Sequence, residues 1–391
     1  MGLVLRKTNP NTRRMTMPIG YDIFNNVRIN SVMQGIMDPR LLPGEFVFSR
    51  RVPTVRAVDS EVTARFIQYP QIADLIAEDQ RAVVYQTGKF QLSTTRVPKL
   101  KIGANVTETM LTQILQIGNS GGAVSSMFTD WESATLFNLK LGLAQRVEVL
   151  LAAMMTDSFV YDRLGLKVSA SWGMPSDLKV TPAVSWDTAA TATPIDDILN
   201  LRRLAQVKYG VRLNRLTMSL AAFNYMIATT QFQNRAKAFL PTSLVLGTNY
   251  PTQNTNDMQA LATRILDGIG IELYDQMYWS QDEAGTATMA PYLPITKVVF
   301  DSTTNDNNGR VWDLANTEVQ EAKVAALGGQ PIGPANAVGP LSYATFPPNL
   351  NPPNITYWAV QRCFPRKHVL QANAVLTVGA FSDPIGATVP F

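Results

Sequence analysis

Between Thr193 and Asn224 the sequence specifies a helix, a strand and a second helix in close succession, and this run constrains the fold more than any other. Thr193 is an N-cap residue type. Pro194 suits the first helical position, where its missing N–H and fixed φ cost little. Asp196 is placed for a carboxylate to reach back to the cap, and Asp196 and Asp197 both face the positive end of the helix dipole. Ile195, Ile198, Leu201, Leu204 and Val207 recur at helical steps and read as one buried stripe, and Gly210 reads as the residue that stops the helix. Arg215 to Leu220 then alternates, with Leu216, Met218 and Leu220 on one face and Arg215, Thr217 and Ser219 on the other, the pattern of a half-buried strand. Helical spacing returns from Ala221 to Thr229 through Phe223, Met226 and Ile227. The unit carries no nucleophile, metal cluster or phosphate loop, which points to a scaffold that binds other proteins.

At 391 residues the chain is long enough to bury a substantial core in two or three lobes. Charged residues make up only 16%, against about 25% in ordinary soluble domains, so much of the surface is expected to be covered by partners. The first residues are polar and basic and do not read as a secretory signal. The densest apolar run, Val149 to Met155, is far short of the roughly 20 residues a bilayer span needs, so no membrane contact is expected. A single cysteine excludes an intrachain disulfide framework and suits a reducing cytoplasm.

The net charge of +4 is unevenly spread. Arg6, Lys7, Arg13 and Arg14 open the chain without an acid among them, and Lys89, Arg96, Lys99 and Lys101 form a second basic stretch. These eight are the candidate intersubunit or DNA-facing residues. The alternative is that each cluster is simply a solvated face on an arm or loop.

Residues 1 to about 35 read as an extended arm, broken by Asn9-Pro10 and Pro18-Ile19-Gly20. Residues about 45 to 105 read as strands, at Glu45–Phe48, Val62–Phe66, Ala82–Tyr85 and Lys99–Val106, in a long hairpin-like excursion with little core of its own. After the glycines at 118, 121 and 122, a long helix follows with Asp130 as its cap. Its Leu136, Leu139, Leu143, Val147, Leu150 and Met154 repeat at steps of 3, 4, 4, 3 and 4, one stripe over about 30 Å. Lys140, Arg146, Glu148 and Asp157 lie off the stripe, and the helix is expected to end near Tyr161. Residues 165 to 192 read as strand and loop, and Gln231 to Asp257 as loop. A helix is expected at Leu261–Leu266. Strands are expected at Ile269–Asp275, Lys297–Phe300, Tyr357–Cys363 and His368–Thr377. From Val324 to Gln361 no residue is charged and seven prolines intervene, which suits packing against a neighbouring subunit.

The catalytic inventory is thin. Cys363 and His368, the only cysteine and the only histidine, lie five residues apart in apolar strand-like sequence and lack an evident orienting group for a nucleophile pair. Two such ligands are too few for a structural zinc site. Thr87-Gly88-Lys89 lacks the first glycine of a phosphate loop, where Val83 stands, and no helix follows. No cofactor and no catalytic or metal-binding residues are expected.

In their order and spacing these elements resemble the major capsid proteins of tailed double-stranded DNA bacteriophages, in the lambda-type branch of the HK97-like fold. Leu136 to Phe159 resembles that family's spine helix. Thr193-Pro194-Ile195-Asp196-Asp197 leading to Leu216–Ser219 resembles its A domain. Ile269–Asp275 with Tyr278, Gly285 and Pro291–Pro294 resembles the following hairpin, and Tyr357 to Val378 the strands that return to the P domain. The resemblance implies an α+β fold with an N-terminal arm at 1–45, an extended loop (E-loop) at 46–110, a peripheral P domain at 111–190 with 351–391, and an axial A domain at 191–350. It implies a structural, non-enzymatic subunit that assembles with itself into hexamers and pentamers of an icosahedral shell around the viral genome. A separate scaffolding protein, a portal, a cement or decoration protein and non-specific contact with packaged DNA are the other implied partners. The implied location is the virion, after assembly in the host bacterial cytoplasm. Two other readings are the shell of a cellular nanocompartment, which shares the fold, and an enzyme such as a hydrolase with a basic cleft, which would need convergent titratable side chains.

Overall fold

The computed structural model describes residues 29, 32–33, 46–57, 61–63, 94–106, 109–110, 124–163, 166–239, 255–281, 287–302, 311–322, 338–345 and 355–379. In chain order, helix α1 (Val47–Arg51) precedes strands β1 (Thr54–Arg56), β2 (Glu61–Thr63), β3 (Thr94–Arg96) and β4 (Lys99–Val106). Helix α2 (Val124–Thr156) leads to β5 (Phe159–Arg163), β6 (Leu166–Ala170), a 3-10 turn (Ser176–Leu178) and β7 (Lys179–Val180). Helix α3 (Pro194–Tyr209), β8 (Arg215–Met218), helices α4 (Leu220–Ala228), α5 (Thr230–Phe239) and α6 (Thr255–Ile265), and β9 (Gly270–Leu273) follow. The remaining strands are β10 (Met277–Gln281), β11 (Ala287–Pro291), β12 (Lys297–Asp301), β13 (Trp312–Asn316), β14 (Leu341–Thr345), β15 (Ile355–Lys367) and β16 (Asn373–Thr377).

The chain divides into two units, each drawn from three stretches: Met1–Met37, Lys101–Leu141 and Val319–Val360 in one, Asp38–Leu100, Gly142–Glu318 and Gln361–Phe391 in the other. The second unit is built on a mixed sheet in the order β7-β16-β12-β8-β9. Its centre, β12, reads Lys-Val-Val-Phe-Asp and is buried from Val298 to Asp301, the near-continuous burial of a strand covered on both faces. The core around it gathers Trp186, Ile198, Leu216, Phe223, Phe232 and Leu376. A second ladder in this unit pairs β1 parallel to β13, and β13 antiparallel to the end of β15, from Asn316 opposite Cys363 to Trp312 opposite Lys367. In the first unit, β14 runs antiparallel to the start of β15, from Leu341 opposite Val360 to Thr345 opposite Thr356. Its small core comprises Val319, Ala322, Leu341, Tyr343 and Val360, with Trp358 against it. Trp358 lies across Gly103 so closely that a Cβ there would sit 2.6 Å from the ring.

The helix–strand–helix unit forms where the sequence places it, with local differences. α3 begins at Pro194 and ends at Gly210, whose φ of 66° is the left-handed conformation a glycine tolerates. Thr193 makes no side-chain cap bond. The N–H of Ile195 donates to Gln231 Oε1 at 3.0 Å, Asp197 accepts from Trp186 Nε1 at 3.0 Å, and Asp196 pairs with Arg235 at 2.9 Å. Leu204 and Val207 are not buried: they are 36% and 79% exposed. β8 stops at Met218, and Ser219 caps α4 by accepting from the Ala222 N–H at 3.1 Å. Gln231 to Phe239 is helical rather than loop, and the expected helix at Leu261 begins at Thr255.

α2 is 33 residues long. It contains Asp130 instead of being capped by it, and it ends at Thr156, so Tyr161 belongs to β5. Its stripe is buried throughout, but Glu148 and Asp157, off the stripe in sequence, are buried as well. Lys140 donates to the Met33 carbonyl at 3.3 Å. Of the expected strand at Glu45–Phe48, Glu45 lies outside the described residues and Phe46 to Phe48 instead form the entry to α1, and His368 sits in a turn before β16. The expected strand at Ala82–Tyr85, residues 324–337 and 346–354 of the uncharged segment, and most of the N-terminal arm lie outside the described residues.

Candidate functional site

The five residues of α1 are fastened from two sides within their unit. Phe46, at the N-cap, offers no side-chain acceptor to the first N–H groups of the helix. Glu148 of α2 supplies it: Oε1 accepts from Phe48 N–H and Oε2 from Ser49 N–H, both at 2.8 Å, and Ser49 Oγ adds a bond of 2.5 Å. Tyr274 donates its hydroxyl to the same carboxylate at 2.9 Å. Burial pushes the Glu148 carboxyl above its usual range, against hydrogen bonds from Ser49, Phe48 and Tyr274 that pull it down. Burial, then the Glu148 charge, pushes the Tyr274 hydroxyl far upward. Around this point Phe48 meets Tyr274 edge-on at 5.6 Å and Phe46 meets Tyr292 edge-on at 6.1 Å, geometries aromatic pairs prefer.

The other side of α1 is ionic. Arg51 donates to Asp301 Oδ2 at 2.8 Å, to Thr217 Oγ1 at 3.0 Å and to Glu272, while Arg50 donates to Glu272 at 2.7 Å. Arg215 takes the other Asp301 oxygen at 2.8 Å. Asp301 is wholly buried, and burial raises its carboxyl against the pull of Arg51 and Arg215. A buried carboxylate is tolerable here because two guanidiniums and their hydrogen bonds surround it. Thus β8, β9 and β12 all hold the arginines of α1, and α2 holds its backbone. The arrangement fixes where the chain enters β1 and the segments beyond it.

The eight sequence candidates fall differently. Arg6, Lys7, Arg13, Arg14 and Lys89 lie outside the described residues. Arg96 stands in β3 opposite Glu61 of β2. Lys99 and Lys101, both exposed, sit on β4 two residues apart and so share a face. Lys101 Nζ lies 4.1 Å over the Trp358 ring and 5.6 Å from that of Tyr343, within cation–π range. The Glu148 and Asp301 contacts were not legible beforehand, because each joins residues 86 to 250 positions apart. The only advance signal was an acid embedded in an apolar stretch, as at Glu148 and Asp301.

Cys363 and His368 do not form a pair. Cys363 is buried and its thiol is pushed up to about 12, which disfavours the thiolate. His368 Nε2 lies 2.9 Å from Asp313, which Arg366 also holds at 2.7 Å. Among the described residues there is no metal-binding cluster of His, Cys, Asp and Glu, and no helix long and apolar enough to cross a membrane.

A long helix, a mixed sheet with helices packed against it and an anchored N-terminal segment define an α+β fold of the HK97-like capsid class. The architecture is similar to a candidate capsid protein of a prophage in Escherichia coli CFT073, at 13% identity with a TM-score of 0.55, covering 91% of this chain and 99% of that one. It is also similar to a phage-related protein of Bordetella bronchiseptica RB50, at 10% identity with a TM-score of 0.52, covering 89% and 95%. Comparison with curated proteins gives no match. The chain belongs to the phage major capsid protein E family, whose profile matches residues 68–332. It is a structural major capsid protein, and the family places it in the virion shell through association with its own kind.

Proposed function

We propose that copies of this chain form the hexamers and pentamers of an icosahedral shell that encloses a double-stranded DNA genome. The family match over residues 68–332 carries this reading. The doubly fastened α1 supports it, because an arm or loop that reaches a neighbour is useful only if its base is held. In this reading residues 1–45 are the arm, 46–110 the extended loop, 111–190 with 351–391 the P domain and 191–350 the A domain. Arg6, Lys7, Arg13, Arg14, Lys89, Arg96, Lys99 and Lys101 face neighbouring subunits or DNA. Many modest contacts then close a shell by avidity, each new contact being intramolecular once its neighbours are in place. A separate scaffolding protein, a portal and a decoration protein complete the assembly, which takes place in the host cytoplasm and needs no catalytic step from this chain.

Electron microscopy of particles purified from infected or expressing cells, with and without nuclease, tests the reading. Closed shells of uniform diameter holding nuclease-protected DNA are expected from infected cells. Shells that hold enzymes instead of nucleic acid would favour the nanocompartment, and a protein that forms no shell under either condition would overturn both. Deleting residues 2–14 is expected to impair shell formation and leave the subunit folded, as judged by circular dichroism and particle yield.

A further inference from the structure

The hairpin of β10 and β11 follows directly on β9, an edge strand of the five-stranded sheet, and its register places Trp279 opposite Met289. Strand alternation puts Met277 and Pro291 on the same face as that pair, and Tyr278 and Ala290 on the other. The Tyr278 face is fastened to the unit. Tyr278 packs on Tyr292 with ring centroids 5.0 Å apart, and Tyr292 stacks on Tyr274 at 5.9 Å. The opposite face looks outward: Trp279 is 47% and Met289 37% exposed, with Met277 and Pro291 half-buried beside them. A two-stranded hairpin is marginal in water, and a tryptophan flanked by methionines is the composition of an interface centre. The connection between the strands, residues 282–286, adds Asp282 and Glu283 and no base.

A second apolar patch belongs to the other edge of the same sheet. Leu204 and Val207 are the exposed members of the α3 series. The helix end that carries them is tied to the turn before β7, the opposite edge strand: Lys208 donates to Asp177, and the Tyr209 hydroxyl does so at 2.6 Å. Four strand spacings, about 19 Å in all, separate the two edges. From Ile198 to Tyr209 the helix carries Arg202, Arg203 and Lys208 and no acid. The hairpin therefore offers an apolar face that ends in acids, and α3 an apolar face flanked by bases.

We propose that the Trp279 face of the hairpin in one copy docks on the Leu204 and Val207 face of α3 in the next copy, with the acids of the connection set toward Arg202 and Arg203. The occupant is a second copy because both halves of the contact are present on this one chain, matched in polarity and charge, and because the family associates with its own kind. Hairpin against hairpin would instead set acids against acids, which costs affinity. Two different patches at opposite edges make a head-to-tail contact, which repeats from copy to copy and closes into a ring where the rotation allows. Methionine side chains adapt to small changes of angle, so one such contact suits both a ring of hexamer and a ring of pentamer curvature. The inference rests on the shell reading above and names the contact inside its hexamers and pentamers.

Thiol crosslinking of particles formed by the full-length chain tests it. Particles of the double variant Val207→Cys with Met289→Cys are treated with a short bis-maleimide and run on a denaturing gel. The native Cys363 is buried, so wild-type particles serve as the blank. A ladder of linked subunits that ends at the pentamer and hexamer is expected. Particles assembled from a mixture of the two single variants are expected to stop at the linked dimer, and Met289→Cys alone to give no link. Intact particles without a ladder, a link formed within one chain, or dimers from Met289→Cys alone would each overturn the contact and leave the shell standing. Wild-type protein that forms no particles overturns shell and contact together. A second variant does not depend on the introduced thiols. Trp279→Ser is expected to leave the thermal midpoint of the subunit in place and to raise the protein concentration needed for half-maximal assembly about tenfold or more. Assembly of Trp279→Ser at the wild-type concentration would also overturn the contact.

Discussion

Helices α2 and α3 both carry apolar residues at helical spacing, and they bury them differently. In α2, Leu136, Leu139, Leu143, Val147, Leu150 and Met154 are all buried. In α3, Ile195, Ile198 and Leu201 are buried, whereas Leu204 and Val207 are not. The sequence steps explain the difference. At about 100° per residue, a step of three falls about 60° short of a full turn and a step of four overshoots by about 40°. The α2 stripe mixes threes and fours and so returns to one side. The α3 series is four threes in a row, and each rotates the next residue further around the helix until Val207 faces solvent. Ala205, four residues after Leu201, takes the buried place instead. Spacing of three or four is thus a necessary sign of a buried face, and the running sum of the steps decides how long that face lasts.

The largest expected effect tests the fixed stripe. Leu150→Ala and Leu143→Ala should each cost about 2–5 kcal/mol through lost burial and a residual cavity, read from urea unfolding of unassembled subunits. A cost below that of an ordinary surface change would place the α2 stripe on the wrong side. Next comes Glu148, which the stripe alone would leave in water. Glu148→Gln turns an amide toward N–H and O–H donors and should cost about 1–3 kcal/mol. Unaltered stability would mean that α1 is not held by this carboxylate. Lys140→Ala removes the bond to the Met33 carbonyl, and a loss of about 0.5–1.5 kcal/mol is expected. The smallest effect belongs to α3. Val207→Ala should change folding stability by no more than about 0.5 kcal/mol, whereas Leu201→Ala should match the α2 substitutions. Equal costs for Leu201→Ala and Val207→Ala would undo the account of rotating threes.

The parts of the fold that local chemistry decides were legible. Pro194 and Gly210 bound α3 because a fixed φ and a left-handed φ are properties of single residues. Arg215 to Met218 forms a strand as its alternation indicates, although Thr217 is also buried, on the face where the Arg51 guanidinium donates to its hydroxyl. The four residues Glu45 to Phe48 alternate too, but four residues cannot separate a strand from a helical turn. Glu148, a hundred residues away, decides for the turn by accepting the N–H groups of Phe48 and Ser49. The anchoring site was not legible for the same reason: its acids and bases are ordinary surface residues until β8, β9 and β12 bring Thr217, Glu272 and Asp301 to the guanidinium of Arg51. Lys99 and Lys101 were singled out for charge, and for Lys101 the structure adds aromatic partners that charge counting does not see.

The contact of Gly103 with Trp358 also sets the order in which this part of the molecule can change over evolutionary time. Any side chain introduced at 103 meets the indole at 2.6 Å, so that step alone is closed. Replacing Trp358 first loses its bond to Thr345 Oγ1 and the cover it gives Lys101, but it leaves a strand that still pairs. Only after that change does position 103 become free to vary. Two sites far apart in the sequence therefore share one history, with a permitted direction of travel and a forbidden one.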